Sequence, residues 1–339
     1  FLTGFSMIGI LIIVESWLND RATNKTRGKV LSLYMFFTFF AFTIGNLLLN
    51  ISSPNSYEPF ILISLLFSVA LIPILLTKRK PPTFKKTSSI RIKELLKISP
   101  FGSFSMFCTG FIFAAMFAML SVYAVTMNLT VFEISILLVG TTLAGAIFQW
   151  PIGYLSDKYD RRKIVIGCCI ASFIFGVLSI MSSGIYFESL VAEEMVRFNY
   201  FSSDGNMNKT NLFIFLILLS GMTLPMFALN LALVNDYIPK EKFVAAGAGL
   251  NIIFGLGAMA GPIICSVLMS LLGPNGFFVH LFIFLLAIIF FGIYRVNKRE
   301  YEDNPESTFT PLPREITPLG IELDPDTGVD LSNTPNDKE

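Results

Sequence analysis

The sequence predicts an all-α membrane protein, a bundle of apolar helices that cross a bilayer. Three observations carry that expectation. Hydrophobic residues fill 53% of the 339 positions and charged residues 14%, where a soluble domain carries about 25% charged residues. The apolar residues gather into runs of the roughly 20 residues that a spanning helix needs. The basic residues collect in alternate connections between those runs, as the positive-inside rule demands. With 35 Phe against 24 Asp and Glu together, there is too little charge to build a surface facing water.

Nine runs define the elements. The first, 1–18, leads into Glu15-Ser16-Trp17-Leu18-Asn19-Asp20, and the second and third are 30–51 and 59–77. A basic stretch, 78–97, separates them from 100–127 and 132–155. The run 163–184 follows a basic cluster, and 212–236, 244–271 and 276–296 complete the series. Of the 25 Lys and Arg residues, 23 fall at connections on one side, leaving Arg197 and Lys209 on the other. The first side is expected to be the cytoplasm, so the chain starts outside and its tail, 297–339, ends inside. From Glu300 onward this tail has 11 acidic and 2 basic residues, a net −9, and it is predicted to be disordered.

A repeat organises the runs. Asn19-Asp20 recurs 216 residues later as Asn235-Asp236, and Gly45 recurs as Gly261 at the same offset. Runs one to three therefore match runs seven to nine, and runs four to six lack partners. The expectation is a chain truncated by three further spans, roughly 100 residues, before Phe1. The whole would have twelve spans in two parallel six-helix halves. On that reading, 1–77 holds the last three helices of the first half, 78–99 is the cytoplasmic inter-half loop and 100–296 is the second half.

The connection Gly153-Tyr154-Leu155-Ser156-Asp157-Lys158-Tyr159-Asp160-Arg161-Arg162-Lys163 resembles the cytoplasmic loop signature of the major facilitator superfamily. Glu15-Ser16-Trp17-Leu18-Asn19, Arg27-Gly28-Lys29, Gln149-Trp150-Pro151-Ile152-Gly153 and Asn235-Asp236 are similar to its YcaD-like bacterial branch, from Phe1 to about residue 325. The resemblance implies a major facilitator-type bundle, a bacterial inner-membrane location and transport of a small solute by alternating access. It also implies a cytoplasmic gate. Asp157 would face the amino-terminal dipole of the helix starting near Arg27, and Arg161 or Arg162 would pair with Asp236. Gly153, Lys158 and Asp160 belong to the same gate motif. The plainer reading of this cluster is a solvated patch that fixes topology.

Glu15 is the one carboxylate well inside a run. A buried charge there is costly unless paired or protonated, which suits proton coupling. The alternative partner is Arg21, Arg27 or a loop backbone amide. Asn19, Asn46, Gln149, Trp150, Asn230, Asn235 and Asn251 are candidates to line a cavity, though interhelical hydrogen bonding is the commoner use of the polar ones and Trp150 reads equally as an interfacial anchor. His280 is expected in a structural hydrogen bond. Gly257 and Gly261 are expected to let two helix backbones approach closely. Gly261-Pro262 resembles the superfamily's antiporter signature, which belongs in the fifth helix of the first half. That helix has Gly45-Asn46 and no proline, which argues against drug–proton antiport.

Other functions find little footing. Cys108, Cys168, Cys169 and Cys265 sit inside apolar runs without metal-ligand spacing. No phosphate loop, metal cluster or nucleophile–base pair points to an enzyme or a cofactor, and no basic stripe with aromatics points to nucleic acid. Asn208-Lys209-Thr210 fits a glycosylation triplet of a kind common by chance. The expected partners are a small solute, protons as the candidate coupling ion, and the lipid bilayer, with a monomer favoured. The second class of function is a membrane sensor or scaffold that binds a ligand without moving it.

Overall fold

A computed structural model describes residues 2–23, 26–53, 56–76, 90–184, 208–298, 309–313 and 316–327. The predicted outer loop, over 185–207, and most of the basic stretch, over 77–89, lie outside the described residues. The helices are α1 (Leu2–Arg21), α2 (Arg27–Leu48), α3 (Glu58–Leu75), a short α4 (Ile92–Ile98), α5 (Pro100–Thr126), α6 (Val131–Lys158), α7 (Arg161–Ser183), α8 (Lys209–Asn235), α9 (Phe243–Leu272), α10 (Gly276–Lys298) and the single turn α11 (Pro318–Ile321).

All nine apolar runs are helical, with ends within a few residues of those predicted. Among the described residues, seven helical stretches are long and apolar enough to cross a membrane. One of them, Phe243–Lys298, contains both α9 and α10, joined through the tight turn Gly273–Asn275. Helix α3 is apolar over Glu58–Pro73 but shorter.

Local chemistry sets the helix ends. Thr130 and Glu133 form a reciprocal capping box at the start of α6. Asp160 accepts from the Arg162 N–H to open α7, and Asn208 accepts from Asn211 N–H to open α8. Helix α7 ends at Gly184 with a φ of 69°, a left-handed conformation that glycine adopts without strain.

Helix α5 lies against α8, α9 and α10, α8 also packs on α6 and α7, and α2 joins the bundle along α6. The outward faces of α2, α3 and α9 carry exposed apolar side chains, Phe36, Phe37, Leu65, Met259 and Ile263 among them. Such a belt is foreign to soluble monomers and matches lipid. Inside, a Cβ on Gly257 would come within 2.3 Å of the Phe107 carbonyl oxygen, and one on Gly110 within 2.2 Å of that of Phe254. The α5 and α9 backbones therefore touch, as the Gly257–Gly261 spacing predicts. Gly45, the repeat counterpart of Gly261, has nothing within 4 Å of its Cβ position. His280 is buried and its Nε2 contacts the Phe111 carbonyl at 3.2 Å, and all four cysteines are buried free thiols.

The tail departs from expectation. Residues 309–313 and 316–327 fold back as a strap against the bundle end that carries Arg27, Asp157, Arg161 and Asp236, here the basic end. Leu312, Ile316, Ile321 and Leu323 are buried in one cluster with Leu31, Leu95 and Phe243. Composition averaged over 297–339 predicts disorder, and the average hides a local run of apolar residues.

The α5–α9 contact sets the first prediction. Gly257→Ala should destabilise the protein by about 1–3 kcal/mol, because the neighbouring backbone cannot give way. Gly255→Ala, with nothing within 4 Å of its Cβ, should be neutral or slightly stabilising. Thermal unfolding of the two variants in detergent should show a lower Tm for the first alone.

Candidate functional site

Two features meet between the helices: a cavity and the closure of its basic end. The cavity, about 140 Å³, lies between α2, α5, α6 and α8. Thr38 and Asn46 reach it from α2, Thr141 and Gln149 from α6, and Ser220 from α8, among phenylalanines of α2 and α5. Helix α5 contains a π turn, Ala115–Met119, and its Met116 and Phe117 form part of the wall. Such turns recur at functional sites. Leu312 and Pro313 of the strap complete the lining.

The closure starts from Arg161, the first residue of α7. Its Nη1 donates to Asp236 Oδ1 at 2.5 Å and to the Ala232 carbonyl at 3.0 Å, both at the end of α8. Its Nη2 donates to Asp157 Oδ1, at the end of α6, at 2.9 Å. One guanidinium therefore ties three helix ends together, placed where the carboxyl end of α8 favours a cation. The Arg161 and Asp236 side chains are 3% and 1% exposed, against 37% for Asp157.

Among the described residues, Asp157 is met by Arg161 and the strap and not by the amino end of α2. Its Oδ1 accepts from the Phe309 N–H of the strap at 2.8 Å, and the Phe309 ring lies on Gly153, where a Cβ would come within 2.3 Å of it. The start of α2 meets the strap as well: Arg27 Nη1 donates to the Asp324 carbonyl at 3.4 Å and to Thr327 Oγ1 at 3.3 Å. Arg162 forks onto Asp160, with Nη2 to Oδ2 at 2.8 Å, so Arg161 is the arginine that holds Asp236. Lys158 stacks its ammonium over Tyr154, 4.3 Å from the ring centre.

Glu15 is buried and meets backbone amides of the strap. Its Oε1 accepts from the Tyr34 hydroxyl at 2.8 Å. Its Oε2 accepts from the N–H groups of Thr317 and Gly320 at 2.9 and 3.0 Å and from the Thr317 hydroxyl. The carboxylate thereby satisfies amide donors that the first turn of α11 leaves open. Asn19 donates to the Leu319 carbonyl, and Asn251 to that of Ile316 at 3.0 Å.

The other polar candidates divide. Asn46 and Gln149 line the cavity. Asn230 is an interhelical link, donating to Thr109 Oγ1 at 3.0 Å. Asn235 is buried beside the Arg161–Asp236 pair in sequence. Trp150 is not a cavity residue, being 80% exposed on the outer face. Neighbours on a helix point about 100° apart, so Gln149 facing inward sends Trp150 outward. The strap was missed altogether, although Phe309, Leu312, Ile316, Leu319, Ile321 and Leu323 crowd one short stretch of the tail.

Comparison with known proteins adds a family. Residues 1–192 and 102–324 match the sequence pattern of the Major Facilitator Superfamily. The chain is 22% identical over 295 residues to the uncharacterized MFS-type transporter YcaD of Escherichia fergusonii, covering 85% of this chain and 70% of that protein. It is 23% identical, with the same coverage, to an uncharacterized MFS-type transporter of Yersinia pestis strain Pestoides F. No solved structure matches.

The exposures of the carboxylates at Arg161 separate their roles. Removing one partner of a buried ion pair costs about 3–5 kcal/mol, whereas a surface pair contributes about 0–1 kcal/mol. Asp236→Asn should therefore lower the Tm in detergent clearly, and Asp157→Asn should lower it little.

Proposed function

The chain belongs to the major facilitator superfamily, and from that premise we propose that it is a secondary active transporter. It would move a small solute through the cavity between α2, α5, α6 and α8 by alternating access. The observation that carries this reading is the cavity itself, lined by α2 from 1–77 and by α5, α6 and α8 from 100–296, with the Arg161 cluster joining three helix ends of the second stretch at its basic end.

On this proposal the nine apolar helices are nine spans. The basic end faces the cytoplasm, and 1–77 and 100–296 belong to the two halves whose relative motion exposes the cavity to each side in turn. Asp157, Arg161 and Asp236 hold the cytoplasmic gate, with Gly153 leaving room for what covers it. Asn46 and Gln149 contact the solute. Glu15, a carboxylate inside the bundle held by hydroxyl and amide donors, is the proposed proton-coupling group. The cavity's mixed lining of hydroxyls, amides and phenylalanine rings suits a small, partly apolar solute with hydrogen-bonding groups.

The test is transport by purified protein in liposomes loaded with a bacterial metabolite extract, read by mass spectrometry after a pH gradient is imposed. The expected result is depletion or accumulation of a narrow group of solutes. Asp157→Ala should reduce this at least tenfold while inserting normally, and Glu15→Gln should remove the response to the gradient. Saturable solute binding with no flux would instead establish the sensor reading. Unchanged flux in Asp157→Ala would refute the gate.

A further inference from the structure

Most of the strap's hydrogen bonds to the helices run through its main chain, with the Thr317 and Thr327 hydroxyls adding one each. Glu15 takes the N–H groups of Thr317 and Gly320, Asn251 and Asn19 give to the carbonyls of Ile316 and Leu319, and Arg27 gives to that of Asp324. Asp157 takes the Phe309 N–H. Side chains of Glu, Asn, Asp and Arg from four helices are thus arranged as acceptors and donors for one segment of chain, much of it wound into the turns Pro318–Ile321 and Pro325–Thr327. Glycines seat the side chains that remain. A Cβ on Gly247 would lie 2.4 Å from Ile321 Cδ1, as one on Gly153 would collide with Phe309. The peptide needs its own glycine as well: a Cβ on Gly320 would fall 2.6 Å from the Glu15 carboxyl carbon and 2.5 Å from Ile316 Cγ1.

We propose that the basic end of the bundle is a peptide-binding cleft, built by Glu15, Asn19, Arg27, Asp157 and Asn251 to hold peptide main chain. Residues 309–313 and 316–327 occupy it in cis and shut the cavity from that side. Charge favours this occupant, since the tail is net acidic from Glu300 onward and the end it covers carries most of the chain's lysine and arginine. Position favours it too. Leu312 and Pro313 form part of the cavity wall, and Phe309 shares Asp157 Oδ1 with Arg161, so the strap covers the cavity and touches the gate in one course. An undocked strap leaves Glu15, Asn19 and Asn251 without these main-chain partners; a docked strap occupies them. The cleft therefore acts as an autoinhibitory switch. Its consequence for flux rests on the transporter reading, whereas peptide binding and cavity closure do not.

The test uses the full chain with Thr142→Cys, a cavity position on α6, and follows its labelling by a membrane-impermeant maleimide from the basic end. The same chain without the added cysteine sets the background. Gly320→Val lies outside the long helices and should expel the strap, raising the labelling rate about tenfold with the Tm of the bundle held. A synthetic peptide of residues 309–327 added to that variant should restore protection. The same peptide carrying Gly320→Val should not, and Glu15→Gln should weaken the rescue about tenfold. Equal labelling rates with Gly and Val at 320 would overturn the proposal, as would equal protection by the two peptides. Neither readout involves solute flux, so a failed transport assay leaves this result standing, and the reverse holds.

Discussion

A charge inside an apolar bundle must be met by donors or by an opposite charge, because no water is there to solvate it. The chain meets this demand at Arg161, which answers with Asp236, Asp157 and a helix-end carbonyl, and at Glu15, which answers with hydroxyl and amide donors. Both points are at the same end of the bundle. The rest of that end follows from them: the loop between α6 and α7 must curl so that Arg161 reaches α8, and the strap must lie across the cleft so that its amides reach Glu15.

The two clusters differ in kind. Arg161 and Asp236 belong to helices that pack on each other through an apolar core, and their pairing fixes the relative position of those helices. Glu15 depends on a segment some 300 residues away in sequence, so its satisfaction is conditional on a long-range docking. Asp157 joins the two, since one oxygen accepts from Arg161 and from the strap's Phe309. Any event that lifts the strap removes a partner from the gate carboxylate, and any opening of the gate loosens one anchor of the strap.

Much of this was readable from residue order. Apolar run length placed the helices because span length is a property of the bilayer, and the Gly257–Gly261 spacing foretold the α5–α9 contact because helical periodicity puts both on one face. The Asp157–Arg161–Asp236 grouping was also visible, through the loop signature and the repeated Asn-Asp pair. Three things were not. Trp150 was legible only as a choice between an interfacial anchor and a substrate platform, and the separation of about 100° between helical neighbours, which sends it outward from Gln149, decides against the platform. The amino end of α2 was assigned to Asp157 from a dipole argument, but the nearer donor is an amide of the strap. The strap itself was hidden because disorder is inferred from average composition, whereas docking depends on a few apolar residues and on a receptor far off in the chain.

The bond between Glu15 and the strap is the contact on which the closure of the basic end depends. Hydrogen exchange of the intact protein, resolved at the amides of Thr317 and Gly320, measures it directly. Exchange at least about 100-fold slower than in a free peptide of the same sequence, equivalent to about 2.8 kcal/mol, and lost on Glu15→Ala, is the predicted result. Exchange at the free-peptide rate in the unaltered protein would contradict it.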